Sequence, residues 1–123
     1  MDHLYIQISP AELIDRYSIT LMKLAYYIDD NNIKAEKDML EHVYRQMNYE
    51  KKDDRLKQFV QLNCQIWDLK NDLRVKKKLY DLFNIKNART ASMLVIAEDA
   101  RKELKKAVNR ECLFDYLNNN YNQ

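Results

Sequence analysis

Two charged side chains fall where the helical spacing of this chain calls for apolar ones. Arg101 interrupts the stripe formed by Met93, Leu94, Ala97, Ala100, Leu104, Val108 and Cys112, and Glu36 projects close to the centre of the stripe of Ile33, Leu40, Val43 and Met47. A guanidinium withdrawn from water without a counter-charge is costly, so Arg101 calls for a carboxylate partner. Glu36, Glu12, Asp15 and Asp72 are the candidates. Two readings stand. In one, a buried or half-buried ion pair sets the register of the helices. In the other, Arg74, Arg101 and Lys105 line an anion site that uses the fork geometry of arginine toward carboxylate or phosphate, with a sugar phosphate or nucleotide as ligand.

Other chemistry finds less support. His3 and His42 are the two histidines, and His42 lacks the Glu-x-x-His spacing of a bundle di-iron site, so no metal or cofactor is expected. Cys64 and Cys112 lack a C-x-x-C partner and an adjacent base; they are expected as buried reduced thiols rather than nucleophiles or a disulfide. The chain holds no Gly, which removes Gly-rich phosphate loops and nucleophile elbows. Lys76-Lys77-Lys78 and Lys105-Lys106 are surrounded by acidic residues and read as solvated faces, not as a nucleic-acid surface.

The elements that must position these residues are helices. The 123 residues fit a single domain, and charged residues, 33% of the chain, nearly cancel to a net charge of +2. Apolar runs such as Met93-Leu94-Val95-Ile96-Ala97 are far shorter than the roughly 20 residues a membrane helix needs. No signal-peptide pattern is present, so the expected location is the cytoplasm. Abundant Asn, Lys, Ile and Tyr suit an AT-rich genome such as that of a virus or phage.

From Asp53 to Phe83, Phe59, Leu62, Ile66, Leu69, Leu73 and Tyr80 share one stripe, the mark of a long helix around which the chain is organised. Before it, residues 1–8 alternate Leu4, Ile6 and Ile8 against Tyr5 and Gln7, an extended arm that lies on the bundle or pairs with a second copy. Ser9-Pro10-Ala11-Glu12 is a capping box with Pro at the first helical position, opening a helix to about Ile28. Its apolar face is Leu13, Ile14, Tyr17, Leu21, Leu24, Ala25 and Ile28, with Glu12, Asp15, Arg16 and Lys23 opposite. Asn32 caps a second helix from Ile33 to about Met47, and Asp53 or Asp54 caps the third. A fourth runs from Ala88 to Leu117, leaving residues 118–123 as a frayed tail. Short connections between such helices predict an all-α, antiparallel four-helix bundle with one long central helix.

Three stretches resemble an uncharacterised family of small helical proteins, mostly bacterial, that carry a domain of unknown function. Ser9-Pro10-Ala11-Glu12-Leu13-Ile14-Asp15-Arg16, with Ser18, Ile19 and Lys23, is similar to that family's S-P-G-E-L-I-D-K-I-T-I-L-E-I-K. Asn63, Ile66-Trp67-Asp68-Leu69 and Leu73-Arg74 resemble N-x-x-L-W-x-I-E-D-x-I-R, and Asp99-Ala100-Arg101 with Lys105, Val108 and Asn109 resembles N-D-x-R-x-x-x-K-x-x-I-N. The resemblance implies an all-helical fold and a shared polar set of Glu12, Asp15, Lys23, Asn63, Trp67, Arg74, Arg101, Lys105 and Asn109. It implies no activity. Departures are Ala11 for Gly, Leu21 for Glu, Lys70-Asn71 for Glu-Asp and Glu98 for Asn. The lost carboxylates favour anion binding or packing over acid–base work.

The functional expectation is a non-enzymatic helical bundle that acts through protein–protein contacts and self-associates, as a homodimer. Nine tyrosines, with Tyr26, Tyr27 and Ile19 placed on an exposed side of the first helix, supply an apolar-aromatic surface for it. The alternative is the small-molecule domain with its anionic ligand.

Overall fold

A computed structural model describes residues 8–83 and 88–121 of the chain. These form four helices, α1 (Pro10–Tyr26), α2 (Asn31–Gln46), α3 (Lys52–Phe83) and α4 (Ala88–Tyr121), with no strand among the described residues. The fold is an all-α, antiparallel four-helix bundle. Apart from Ile8, the expected extended arm lies outside the described residues. α4 continues as helix past the expected end at Leu117.

Local chemistry explains the helix starts. The Ser9 hydroxyl accepts the Glu12 N–H at 3.1 Å and Pro10 opens α1. The capping box is only half made, because the Glu12 carboxylate turns toward Arg16 and Lys105 instead of back to Ser9. α2 is capped by Asp30 rather than Asn32: its Oδ1 accepts the N–H groups of Asn32 and Ile33 at 2.9 and 3.1 Å. Asp53 and Asp54 lie in the first turn of α3, where carboxylates suit the positive end of the helix dipole. At the opposite pole, Lys52 Nζ lies 3.1–3.3 Å from the carbonyls of Tyr44, Arg45 and Met47, closing the end of α2.

The packing centre is α1, not the long α3 that the sequence pattern favours. α1 packs against α2, α3 and α4, α3 and α4 pair along their length, and α2 packs on α1 and meets α3 only at the start of that helix, through Tyr44, Lys52 and Asp53. A helix with three neighbours must bury more than one stripe. Leu13, Tyr17 and Thr20 face α2, with the Tyr17 and Tyr44 rings 5.0 Å apart and Thr20 Oγ1 3.4 Å from Glu36. Ala11, Ile14, Asp15, Ser18 and Met22 form a second buried stripe, along which Ala11, Asp15 and Ser18 meet α3 and α4. Phe59 of α3 and Val108 of α4 complete the core, both fully buried.

Several single-residue expectations change with this arrangement. Asp15 is 3% exposed instead of solvated, while Ala25 and Ile28 of the expected apolar face are exposed. Glu36 is exposed: Leu40 and Tyr44 are the fully buried residues of α2, and Val43 is left outside. On α4, Ala97 and Val108 are buried, whereas Met93 and Ala100 face solvent. Cys64 and Cys112 are free, as expected, but half-buried. Ile19, expected outside, is half-buried beside Trp67.

As α3 advances from Arg55 through Asn63 to Lys70, its α4 partners recede from Glu111 through Arg101 to Glu98, the signature of an antiparallel hairpin. At 1.5 Å per residue, the 32 residues of α3 span about 48 Å and the 17 of α1 only about 26 Å. α1 ends where Tyr26 stacks on Trp67, centroids 5.9 Å apart, so the outer part of the α3–α4 hairpin projects beyond it.

Candidate functional site

The inward stripe of α1 carries a polar network through the middle of the bundle. Asn63, itself 3% exposed, donates from Nδ2 to Asp15 Oδ1 at 2.8 Å and to Ser18 Oγ at 2.7 Å. Its Oδ1 accepts Arg101 NH1 at 2.9 Å. The second oxygen of Asp15 receives Lys105 Nζ at 2.9 Å, and the same ammonium reaches Glu12 Oε2 at 3.0 Å. Asn109 Oδ1 accepts the Ala11 N–H at 3.0 Å, satisfying a first-turn donor of α1. Three helices are thereby tied at one level: Glu12, Asp15 and Ser18 of α1, Asn63 of α3, and Arg101, Lys105 and Asn109 of α4.

The electrostatics follow from these contacts. The hydrogen bond from Lys105 holds the Glu12 carboxyl below its ordinary pKa, outweighing the burial that opposes it, with Arg16 helping. Burial alone would push Lys105 down, but its bonds to Asp15 and Glu12 win and raise it. Ser18 donates to the Asp15 carbonyl at 2.6 Å while accepting from Asn63, so its oxygen is spoken for. Neither Asp15 oxygen is open to a substrate, and no imidazole lies within the network: His42 is exposed on α2 beside Gln46, and His3 lies outside the described residues. The arrangement can fix helix register.

Of the nine polar residues singled out by the resemblance, Glu12, Asp15, Asn63, Arg101, Lys105 and Asn109 converge here. Trp67 stands at the edge, half-buried, lining a cleft with Asn63 and Arg101. Lys23 and Arg74 do not join. Lys23 is exposed on α1, and Arg74 is exposed with its guanidinium on Asn71 at 2.8 Å. Arg74 follows Asn63 by enough helix, about 16 Å at 1.5 Å per residue, to miss the network entirely. The Arg74–Arg101–Lys105 anion site is therefore not assembled. Nor does Arg101 take any of the expected carboxylates: Asp15 and Glu12 belong to Lys105, Asp72 pairs with Lys76 at 2.8 Å, and Glu36 is out of reach.

A second network went unpredicted. Arg55 of α3 pairs with Glu111 of α4, which also accepts the Tyr49 hydroxyl. Burial pushes the Tyr49 hydroxyl up and Glu111 assists; on Glu111 itself burial is overcome by its two donors, which lower it. Arg55 and Glu111 lie on faces that read as solvated, and only the pairing of distant segments reveals them. Nearby, the Tyr44 hydroxyl donates to Asp53, and burial together with that bond raises its pKa.

No protein-family model, curated protein or solved structure matches the chain. Among the described residues there is no group of three or more His, Cys, Asp or Glu side chains that could hold a metal ion. No helix among them is long and apolar enough to cross a membrane.

Proposed function

We propose that this chain is a non-enzymatic helical bundle that works through protein contacts, and that the contact it makes first is with a second copy of itself through the projecting α3–α4 hairpin. One observation carries the reading: the hairpin presents Val75, Leu79 and Leu82 at i, i+4 and i+7 on α3, and all three are exposed, Leu82 by 75%. Val95 and Ile96 of α4, about level with Lys70, are exposed too. Beyond Trp67, no hydrogen bond, ion pair or ring contact ties α3 to α1 or α2 among the described residues. Two helices alone bury little apolar surface, and a monomer seldom leaves such a stripe open without a partner for it. Two hairpins laid together would close a further four-helix bundle over both stripes.

The clustering of Glu12, Asp15, Asn63, Arg101, Lys105 and Asn109 supports kinship with the family of unknown function as kinship in packing. Those residues serve as cement, which agrees with a protein whose working surface lies elsewhere. The test is sedimentation velocity over a dilution series of the chain and of a Leu79→Asp, Leu82→Asp variant. Self-association is expected for the first and its loss for the second, with the melting temperature of the dilute chain unchanged. A single monomeric species at every concentration would end the proposal.

A further inference from the structure

Arg101 differs from the other half-buried cations in what it lacks. Arg55 has Glu111, Lys105 has Asp15 and Glu12, Lys76 has Asp72, Lys37 has Asp38 and Glu41, and Lys52 has three carbonyls of the α2 terminus. Arg101 has one bond, to the neutral amide of Asn63. Its remaining N–H donors have no partner among the described residues, although a guanidinium carries five of them in a fixed fork. The side chain lines a cleft of about 130 Å³ between α1, α3 and α4. Asn63 shares its lining, Ile19, Met22 and Ile66 make it apolar, and the Trp67 ring stands at its side. Lys70 is at its rim, loosely held by Glu98 at 3.7 Å.

We infer that this cleft takes a single carboxylate on a short apolar stem, received by the free donors of Arg101 and steered by Lys70. The volume is well below the roughly 300–1,000 Å³ of pockets that hold drug-sized ligands, which excludes a nucleotide or sugar nucleotide. The charge also chooses. Glu98 offsets Lys70, so among the residues lining the cleft the Arg101 guanidinium is the cation with no carboxylate directly on it, matched by a monoanion rather than by a doubly charged phosphate ester. The apolar lining favours a stem of a few carbons, and the fork geometry of Arg suits the two oxygens of a carboxylate. Such a group is carried by a free short-chain acid or by the C-terminal end of a peptide. This inference is independent of hairpin self-association, since the cleft lies on the α1 side of the bundle.

Trp67 is the sole tryptophan, so its fluorescence reports on the cleft directly. The chain is titrated at constant ionic strength with butyrate, its neutral isostere butyramide, inorganic phosphate, and a short peptide ending in a free valine carboxylate or in the corresponding amide. Saturable change with butyrate and none with butyramide is expected. A peptide acid that binds more tightly than butyrate assigns the carboxylate to a chain end, and one that binds equally or more weakly assigns it to a free acid. Arg101→Gln should weaken butyrate by roughly tenfold or more, as expected for loss of a charged donor pair. Should that variant fail to fold, Lys70→Gln, at an exposed side chain, should weaken it severalfold. No saturable response to any carboxylate, equal responses to acid and amide, or tighter binding of phosphate would overturn the assignment.

Discussion

Asn63 on α3 donates to the carboxylate of Asp15 on α1 at 2.8 Å, and both residues are 3% exposed. A neutral amide thus stands between a buried carboxylate on one side and the Arg101 guanidinium on the other. Its amide nitrogen is used by Asp15 and Ser18, one turn of α1, and its oxygen by Arg101 of α4.

Replacing Asn63 with Leu keeps the branched heavy-atom shape, in a somewhat larger side chain, but strips one bond from Asp15, one from Ser18 and one from Arg101. The buried carboxylate keeps only Lys105. A loss of about 2–4 kcal/mol is expected in chemical denaturation, from unsatisfied buried polar groups. Asn71→Leu, on the same helix where the amide serves only an exposed Arg74, should cost well under about 1 kcal/mol and is the matched control.

Glu36 breaks an apolar stripe of the sequence as Arg101 does, and Arg74 is a candidate for the anion site, yet the structure leaves both Glu36 and Arg74 exposed. Glu36→Ala and Arg74→Ala should each change stability by no more than about 0.5 kcal/mol, measured by urea midpoint with an unchanged slope. A loss of several kcal/mol from either would mean that its helix is rotated from the orientation described.

Stability should fall at both ends of the pH range. The carboxyls of Glu12 and Glu111 have folded pKa values below their ordinary ones, Glu12 through Lys105 and Glu111 through Tyr49 and Arg55 against opposing burial. Their contribution is full above the unfolded value near 4.5 and is lost as pH drops through the lower folded value. Lys105, Tyr44 and Tyr49 are raised, so what they contribute is present below about pH 10 and lost on titrating upward through their folded values. Melting temperature plotted against pH should be level between those limits. Glu12→Gln should flatten the acid edge.

Burial, aided by Asp115 and Glu111, pushes the Cys112 thiol up to about 11. In a Cys64→Ser chain the reaction with a disulfide reagent should be slow at neutral pH and its rate still climbing at pH 10, because the thiolate is the attacking species. A rate that levels off near the ordinary thiol pKa of about 8.5 would place Cys112 in water.

How much of this was legible in the sequence depends on how far each feature reaches along the chain. The Ser9–Pro10 start of α1 could be read because the cap spans a few neighbouring residues. The all-helical class could be read from spacing and from the absence of Gly. The centrality of α1 could not, because its second buried stripe contains Asp15 and Ser18 and so looks like a wet face. Arg101 was correctly found out of place in an apolar row, yet its partner is an amide; that choice depends on how α3 and α4 are rotated against each other. The Tyr49–Glu111–Arg55 set joins residues 56 and 62 positions apart and left no local trace. Motif resemblance brought out six residues of the central network together with Lys23 and Arg74, which share the motifs but not the place.

The central claim is that the charged groups inside this bundle hold one another and thereby hold α1 against α4. A double-mutant cycle on Asp15→Asn and Lys105→Met, followed by denaturant unfolding, measures that grip most directly. The 2.9 Å contact between a buried carboxylate and its ammonium predicts a coupling energy of about 2 kcal/mol. Effects that simply add, to within about 0.5 kcal/mol, would contradict the account.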